Sequence, residues 1–126
     1  MRRKLDRNEG REDRIANEVL ADANDVEEQA MGWFNYLEEK LEFPFTAKCT
    51  MVREISVLER GDEVEILGLA GSDECRYEMF VRMRWSRPDG LAVPLSQLKL
   101  IGDAEGDTVE AIADWLYWVS RGGRLG

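Results

Sequence analysis

A chain of 126 residues, 44% of them hydrophobic, is long enough for one domain with its own core, and its 34% charged residues do not make it disordered. The formal charge of -9 sets the average field against phosphate backbones and anionic lipid heads, so neither nucleic acid nor a membrane surface is expected as a partner. Histidine is absent, which removes the imidazole bases, the commonest zinc ligand and every histidine triad; two cysteines cannot build a four-thiolate site.

No signal-peptide pattern or apolar run of membrane-spanning length is present, so a cytoplasmic location is expected. There Cys49 and Cys75 read as reduced core residues, with a disulfide as the alternative if their strands prove adjacent. Residues 1–14 carry a small basic surplus with no aromatic side chain and read as a flexible basic arm, and residues 15–126 as a single domain. Ile15, Val19 and Leu20 suit a short helix over 15–21. Asp22-Ala23-Asn24-Asp25 is a helix-start signal, and the stripe Val26, Ala30, Trp33, Phe34, Leu37 and Leu41 predicts a long helix ending near Leu41. Residues 22–42 sum to -6, from seven carboxylates and Lys40.

Phe43-Pro44-Phe45 ends that helix, since proline disfavours helical geometry in the residue before it. Strands are expected over Thr46–Ile55, Val64–Leu69 and Leu91–Leu100, and turns at 58–63 and 87–90. Between them an acidic turn, Gly71-Ser72-Asp73-Glu74, leads to a strand in which Met79, Val81, Met83 and Trp85 share the core face. Asp107 with Glu110 resembles a capping box for a final helix, whose apolar positions Val109, Ile112, Ala113, Leu116 and Val119, with Trp115 and Trp118, face the sheet until Gly122-Gly123 stops it. The sum is an α+β domain: a small antiparallel SH3-like β-barrel flanked by an N-terminal long helix and a C-terminal helix.

Calcium takes six to eight hard oxygens, and this chain has carboxylates to supply them. No EF-hand loop fits: Val26 stands where the ligand after Asp22 and Asn24 belongs, and Gly106 comes too early after Asp103 and Glu105. Glu27 and Glu38 lie on one side of the long helix but about 16 Å apart along it, so a site requires one helix end to meet the acidic turn. The expected oxygen ligands are Glu38, Glu39, Asp73, Glu74 and Glu78, with Asp22, Asp25 and Glu28 as a second cluster; the bland alternative is a solvated helix face.

In order along the chain, Gly32-Trp33, Tyr36-Leu37-Glu38, Phe43-Pro44-Phe45, Asp73-Glu74-Cys75, Glu78-Met79-Phe80-Val81, Leu91-Ala92-Val93-Pro94-Leu95 and Asp114-Trp115-Tyr117-Trp118 resemble the small bacterial calcium-binding proteins of the cyanobacterial CcbP type. The resemblance implies a non-enzymatic, acidic calcium binder, a cytoplasmic Ca2+ buffer or sensor whose ions sit among carboxylates outside any EF-hand. Glu39 stands where that family often has aspartate, and Leu116 where it tends to have histidine. The competing expectation is a metal-independent SH3-like interaction module, in which Phe80, Arg82 and Arg84 dock an acidic protein; residues 79–100 sum to +3. A carboxylate-pair hydrolase is a distant third.

Overall fold

The computed structural model describes residues 8–102, 104 and 106–121. Helix α1 (Glu9–Arg14) runs directly into a π-helical stretch, Ile15–Val19, and is followed by α2 (Val26–Lys40). Five strands come next: β1 (Phe45–Cys49), β2 (Glu63–Leu69), β3 (Phe80–Met83), β4 (Leu91–Pro94) and β5 (Leu98–Ile101). A 3-10 turn, Leu95–Gln97, joins the last two, and α3 (Gly106–Ser120) closes the chain.

The start of each early helix is written in polar side chains. Asn8 Oδ1 accepts from Arg11 N at 2.9 Å. Asp25 Oδ1 accepts from Glu28 N at 2.8 Å, while Glu28 Oε1 accepts from Asn24 N at 2.6 Å. Both arrangements satisfy amides that a helix start leaves without partners, and they put negative charge at the positive end of the dipole. Within the segment expected to be an arm, residues 8–14 are thus a capped helix. The helical stretch before α2 begins at Glu9, ahead of the expected Ile15, because Asn8 supplies a cap and Asp114 supplies a docking point.

The antiparallel sheet has the order β4-β3-β2-β1-β5. Strand β1 is buried at Phe45, Ala47 and Cys49, and β3 with the residue before it is buried at Met79, Val81 and Met83. The sheet is open, where a closed SH3-like barrel was expected. Strand β4 pairs with β3 and β5 with β1, and no ladder joins β4 to β5 among the described residues. The expected single strand 91–100 breaks at Pro94, and the 3-10 turn links the two edges: Leu95 N donates to Met79 O at 3.0 Å and Thr50 N donates to Gln97 O at 2.8 Å. Four strand spacings of about 4.8 Å exceed the reach of that short connection, so the sheet must curl.

Three further expectations are corrected. The strand after Phe45 stops at Cys49, and Met51, Val52 and Ile55 are exposed in an irregular connection held by turns. Trp85 lies past the end of β3 and is 45% exposed, because pleating no longer directs it inward. Val109 is exposed, since the buried face of α3 runs through Thr108, Ala111, Ile112, Asp114 and Trp115. Asp107 lies inside the first turn of α3, and the glycine stop expected at 122–123 lies outside the described residues. Cys49 and Cys75 are both buried and unbridged.

Aromatic rings hold α2 against α3. Trp33 meets Trp115 edge-on at 5.1 Å between centroids, Tyr36 at 5.9 Å and Trp118 at 5.5 Å. Beside them lies Asp114, 0% exposed, which accepts from Arg11 Nη1 at 2.5 Å, Arg14 Nε at 2.9 Å, Arg14 Nη2 at 2.7 Å and the Tyr36 hydroxyl at 2.6 Å. Burial alone would raise this carboxyl, but the hydrogen bonds from Arg14, Tyr36 and Arg11 outweigh it and hold it below the ordinary value of 3.8. Burial first, and then Asp114, push the Tyr36 hydroxyl well above the usual phenol range.

A carboxyl lowered in the folded state contributes stability that is complete above its unfolded value and is lost as pH falls through its folded value. Asp114→Asn should therefore cost about 3–5 kcal/mol at neutral pH in urea titrations, the range for breaking a buried ion pair, and should flatten the acid limb of stability below pH 3.8. An unchanged acid limb would show that the network is not anchored on ionised Asp114.

Candidate metal site

Half of the carboxylates expected to bind calcium, Glu74, Glu78, Asp25 and Glu28, already have partners. Glu74 accepts from Gly71 N at 3.0 Å and from Arg82 Nη2 at 2.6 Å. Glu78 is held by both terminal nitrogens of Arg53 and by the Ser96 hydroxyl, which raises the Arg53 guanidinium. Asp25 and Glu28 cap α2, and Asp22 is exposed in the preceding turn, in the left-handed region at φ 65°. Glu38 is exposed near the C-terminal end of α2.

The acidic turn does meet α2, but near its start. Asp73 shares a recess of about 220 Å³ with Glu27 and Met31, and Arg76 fills part of it, pairing with Glu27 at 3.0 Å. Glu38 and Glu39 lie about three helical turns further along, so the structure does not bring them to Asp73 or Glu74. The competing acidic-partner surface is also occupied by this chain's own groups: Arg82 binds Glu74, and Arg84 binds Glu65 at 2.6 Å.

Glu39 is placed differently. It lines a mostly polar recess of about 290 Å³ between α2 and the end of the π-helical stretch, together with Gly32, Asn35 and Tyr36 from α2 and Glu18, Val19 and Ala21 from the earlier segment. Positions 32, 35, 36 and 39 recur at three and four residues, which puts them on one helix face. The opposite wall is the C-terminal end of a helical stretch running from Glu9 to Val19, the negative end of its dipole. Among the described residues no arginine or lysine is in its lining, and Lys40 lies over the Tyr36 ring at 5.9 Å. Gly32 permits the close approach: a Cβ there would lie 2.2 Å from the Val19 carbonyl oxygen.

The side chains in its lining, two carboxylates and one amide, are of the kind a hard cation takes. Among the described residues no three acidic, cysteine or histidine side chains form a ready cage, so an ion here draws on neutral oxygens as well. On this observation the recess fits calcium. Of these lining residues, Glu39 is among the expected ligands and Glu18 and Asn35 are not; the helical spacing places Asn35 beside Glu39, whereas the position of Glu18 depends on where the π-helical stretch docks.

The class defined by fold and recess is a small acidic α+β domain with a mostly polar recess, bearing two carboxylates, between two helical segments. The chain belongs to the CcbP family of calcium-binding proteins, whose sequence model matches residues 13–119. It is similar to the crystal structure of CcbP from Anabaena, at 44% identity and a TM-score of 0.79, over 94% of this chain and 95% of that one. It is equally similar, at 44% identity and a TM-score of 0.77, to a calcium-binding protein in its calcium-binding form, over 92% of this chain and 94% of that one. No curated protein matches the sequence.

The close approach at Gly32 can be tested directly. Gly32→Ala should destabilise the chain by roughly 1–3 kcal/mol in urea titrations, although alanine is the better helix former, because backbone of two segments must separate. A higher urea midpoint would mean that the two segments are not in contact there.

Proposed function

We propose that this protein binds calcium ions in the recess between the 9–19 segment and α2. Glu39 and Glu18 supply the carboxylates, the Asn35 amide oxygen and segment-end carbonyls add neutral ligands, and Asp22, one residue beyond Ala21, is the next carboxylate along the chain. The observation that carries the reading is the recess itself, which has Glu18, Glu39 and Asn35 in its lining and, among the described residues, no arginine or lysine there, although Lys40 lies over the Tyr36 ring at 5.9 Å; Glu74 and Glu78 are instead paired with Arg82 and Arg53. The family and the calcium-bound relative support the choice of ion. Asp73, beside Arg76 and Glu27, forms a weaker second position, because an ion there must displace an arginine.

The role is equilibrium binding without turnover, as a cytoplasmic buffer or sensor. Two buried, unbridged thiols suit a reducing compartment, and no helix among the described residues is long and apolar enough to cross a membrane. With two or three carboxylates around the ion, affinity rests on ligand charge, so each lost carboxylate should be felt strongly.

Calorimetric titration of the metal-stripped chain, with magnesium in excess as the control, should show saturable calcium binding. Glu39→Gln and Glu18→Gln should each weaken it by about ten-fold or more, about 1.4 kcal/mol, while Glu74→Gln and Glu78→Gln stay within roughly two-fold. Silence up to millimolar calcium, with no thermal shift, would overturn the calcium reading. Wild-type affinity in Glu39→Gln would place the ion elsewhere.

A further inference from the structure

We propose that calcium closes the 9–19 helical segment onto α2, so that the site reports the ion as well as holding it. The inference rests on the calcium site proposed above and concerns the ownership of its two walls. Glu39, Asn35 and Tyr36 belong to α2, while Glu18, Val19 and Ala21 belong to the segment before it.

That segment is thinly anchored. No residue of α1 is buried, and Ile15 and Val19 are the buried residues of the π-helical stretch. The remaining hold is polar: Arg11 and Arg14 on Asp114, the Tyr117 hydroxyl accepting from Asn8 N at 2.8 Å, and the same hydroxyl donating to Glu12 at 2.7 Å. Past the arginine anchor at Arg11 and Arg14, the end of the segment has only Ile15 and Val19 buried, and an end with so few buried apolar contacts opens more readily than the core. Without an ion, Glu18 and Glu39 place two negative charges on opposing walls of one recess, which favours opening.

A cation reverses that sign. When the segment lifts away it takes Glu18 and the helix-end carbonyls with it, leaving α2 with half a site. Calcium therefore binds the docked state more tightly, and by linkage it shifts the population toward docking. Two features of the fold serve this coupling. The π-helical stretch and Gly32 set the height at which Val19 meets α2, and so the position of Glu18. Tyr36 lines the recess while its hydroxyl binds Asp114, the group that anchors Arg11 and Arg14. The ion and the buried carboxylate thus act on the same segment from its two ends.

Hydrogen exchange read by mass spectrometry tests this on the full chain, with calcium and then with magnesium alone. Exchange across residues 9–20 should slow by about ten-fold or more at saturating calcium, within the span of ordinary allosteric couplings. Glu18→Gln should lose that slowing even at calcium concentrations that saturate it, and in metal-free buffer it should exchange no faster than the unaltered chain; a merely structural Glu18 would exchange faster there. Glu18→Asp should restore part of the effect. Calcium heat with unchanged exchange over 9–20 would overturn the coupling and leave the site standing. No calcium heat at all would overturn both.

Discussion

The molecule is organised on one ionised side chain that water does not reach. Asp114, on the inner face of α3, gathers two arginines from α1 and a tyrosine from α2. Removing a carboxylate from water is costly, and it is tolerated here because four donors replace the lost hydration. Any one of those donors missing would leave charge uncompensated, so the three helices are held in one relative placement. The Trp33, Trp115 and Trp118 cluster supplies the apolar area next to it, but ring packing alone tolerates sliding in a way that a forked guanidinium on a carboxylate does not.

Parts of this were legible in the sequence. Alternation gave the inward residues Val81 and Met83 of β3 and Met79 just before it, and the stripe with the Asp25 cap announced α2. What periodicity could not show was the partner of a polar residue. Tyr36 and Asp114 sit on the buried faces of their helices, and Arg11 and Arg14 read as solvated charge until an acceptor a hundred residues away is known. The 3-10 turn after Pro94 was hidden inside an apolar run that reads equally well as one strand, and with it the open edge between β4 and β5.

The candidate ligands were legible as a residue type, and their surroundings were not. Counting carboxylates identified a chain rich in hard oxygens, yet a carboxylate is a ligand only if nothing cationic has already claimed it. Arg53 and Arg82 lie far from Glu78 and Glu74 on a helical or local count, and are brought to them by sheet pairing and by the 50–58 connection. Three acids on the sheet side, Glu65, Glu74 and Glu78, are matched by arginines, whereas among the described residues none lines the recess between the 9–19 segment and α2. What sets Glu39 apart from Glu38 beside it is its place on the helix face that meets a second helical segment.

Asp114 and the recess are joined by a single residue, and this gives the architecture its direction. Tyr36 presents its hydroxyl to the buried carboxylate and its side chain to the recess wall, so the N-terminal segment is gripped at Arg11 and Arg14 and faced by Glu39 at Glu18. The first grip holds over the neutral pH range, because Asp114 is held below the ordinary carboxylate value and its hydrogen bonds raise the Arg14 guanidinium. The second is repulsive until a cation enters. A segment held firmly at one end and conditionally at the other can hinge about its anchored end without leaving the domain, and the π-helical stretch lies between the two, where the helical ladder is least regular.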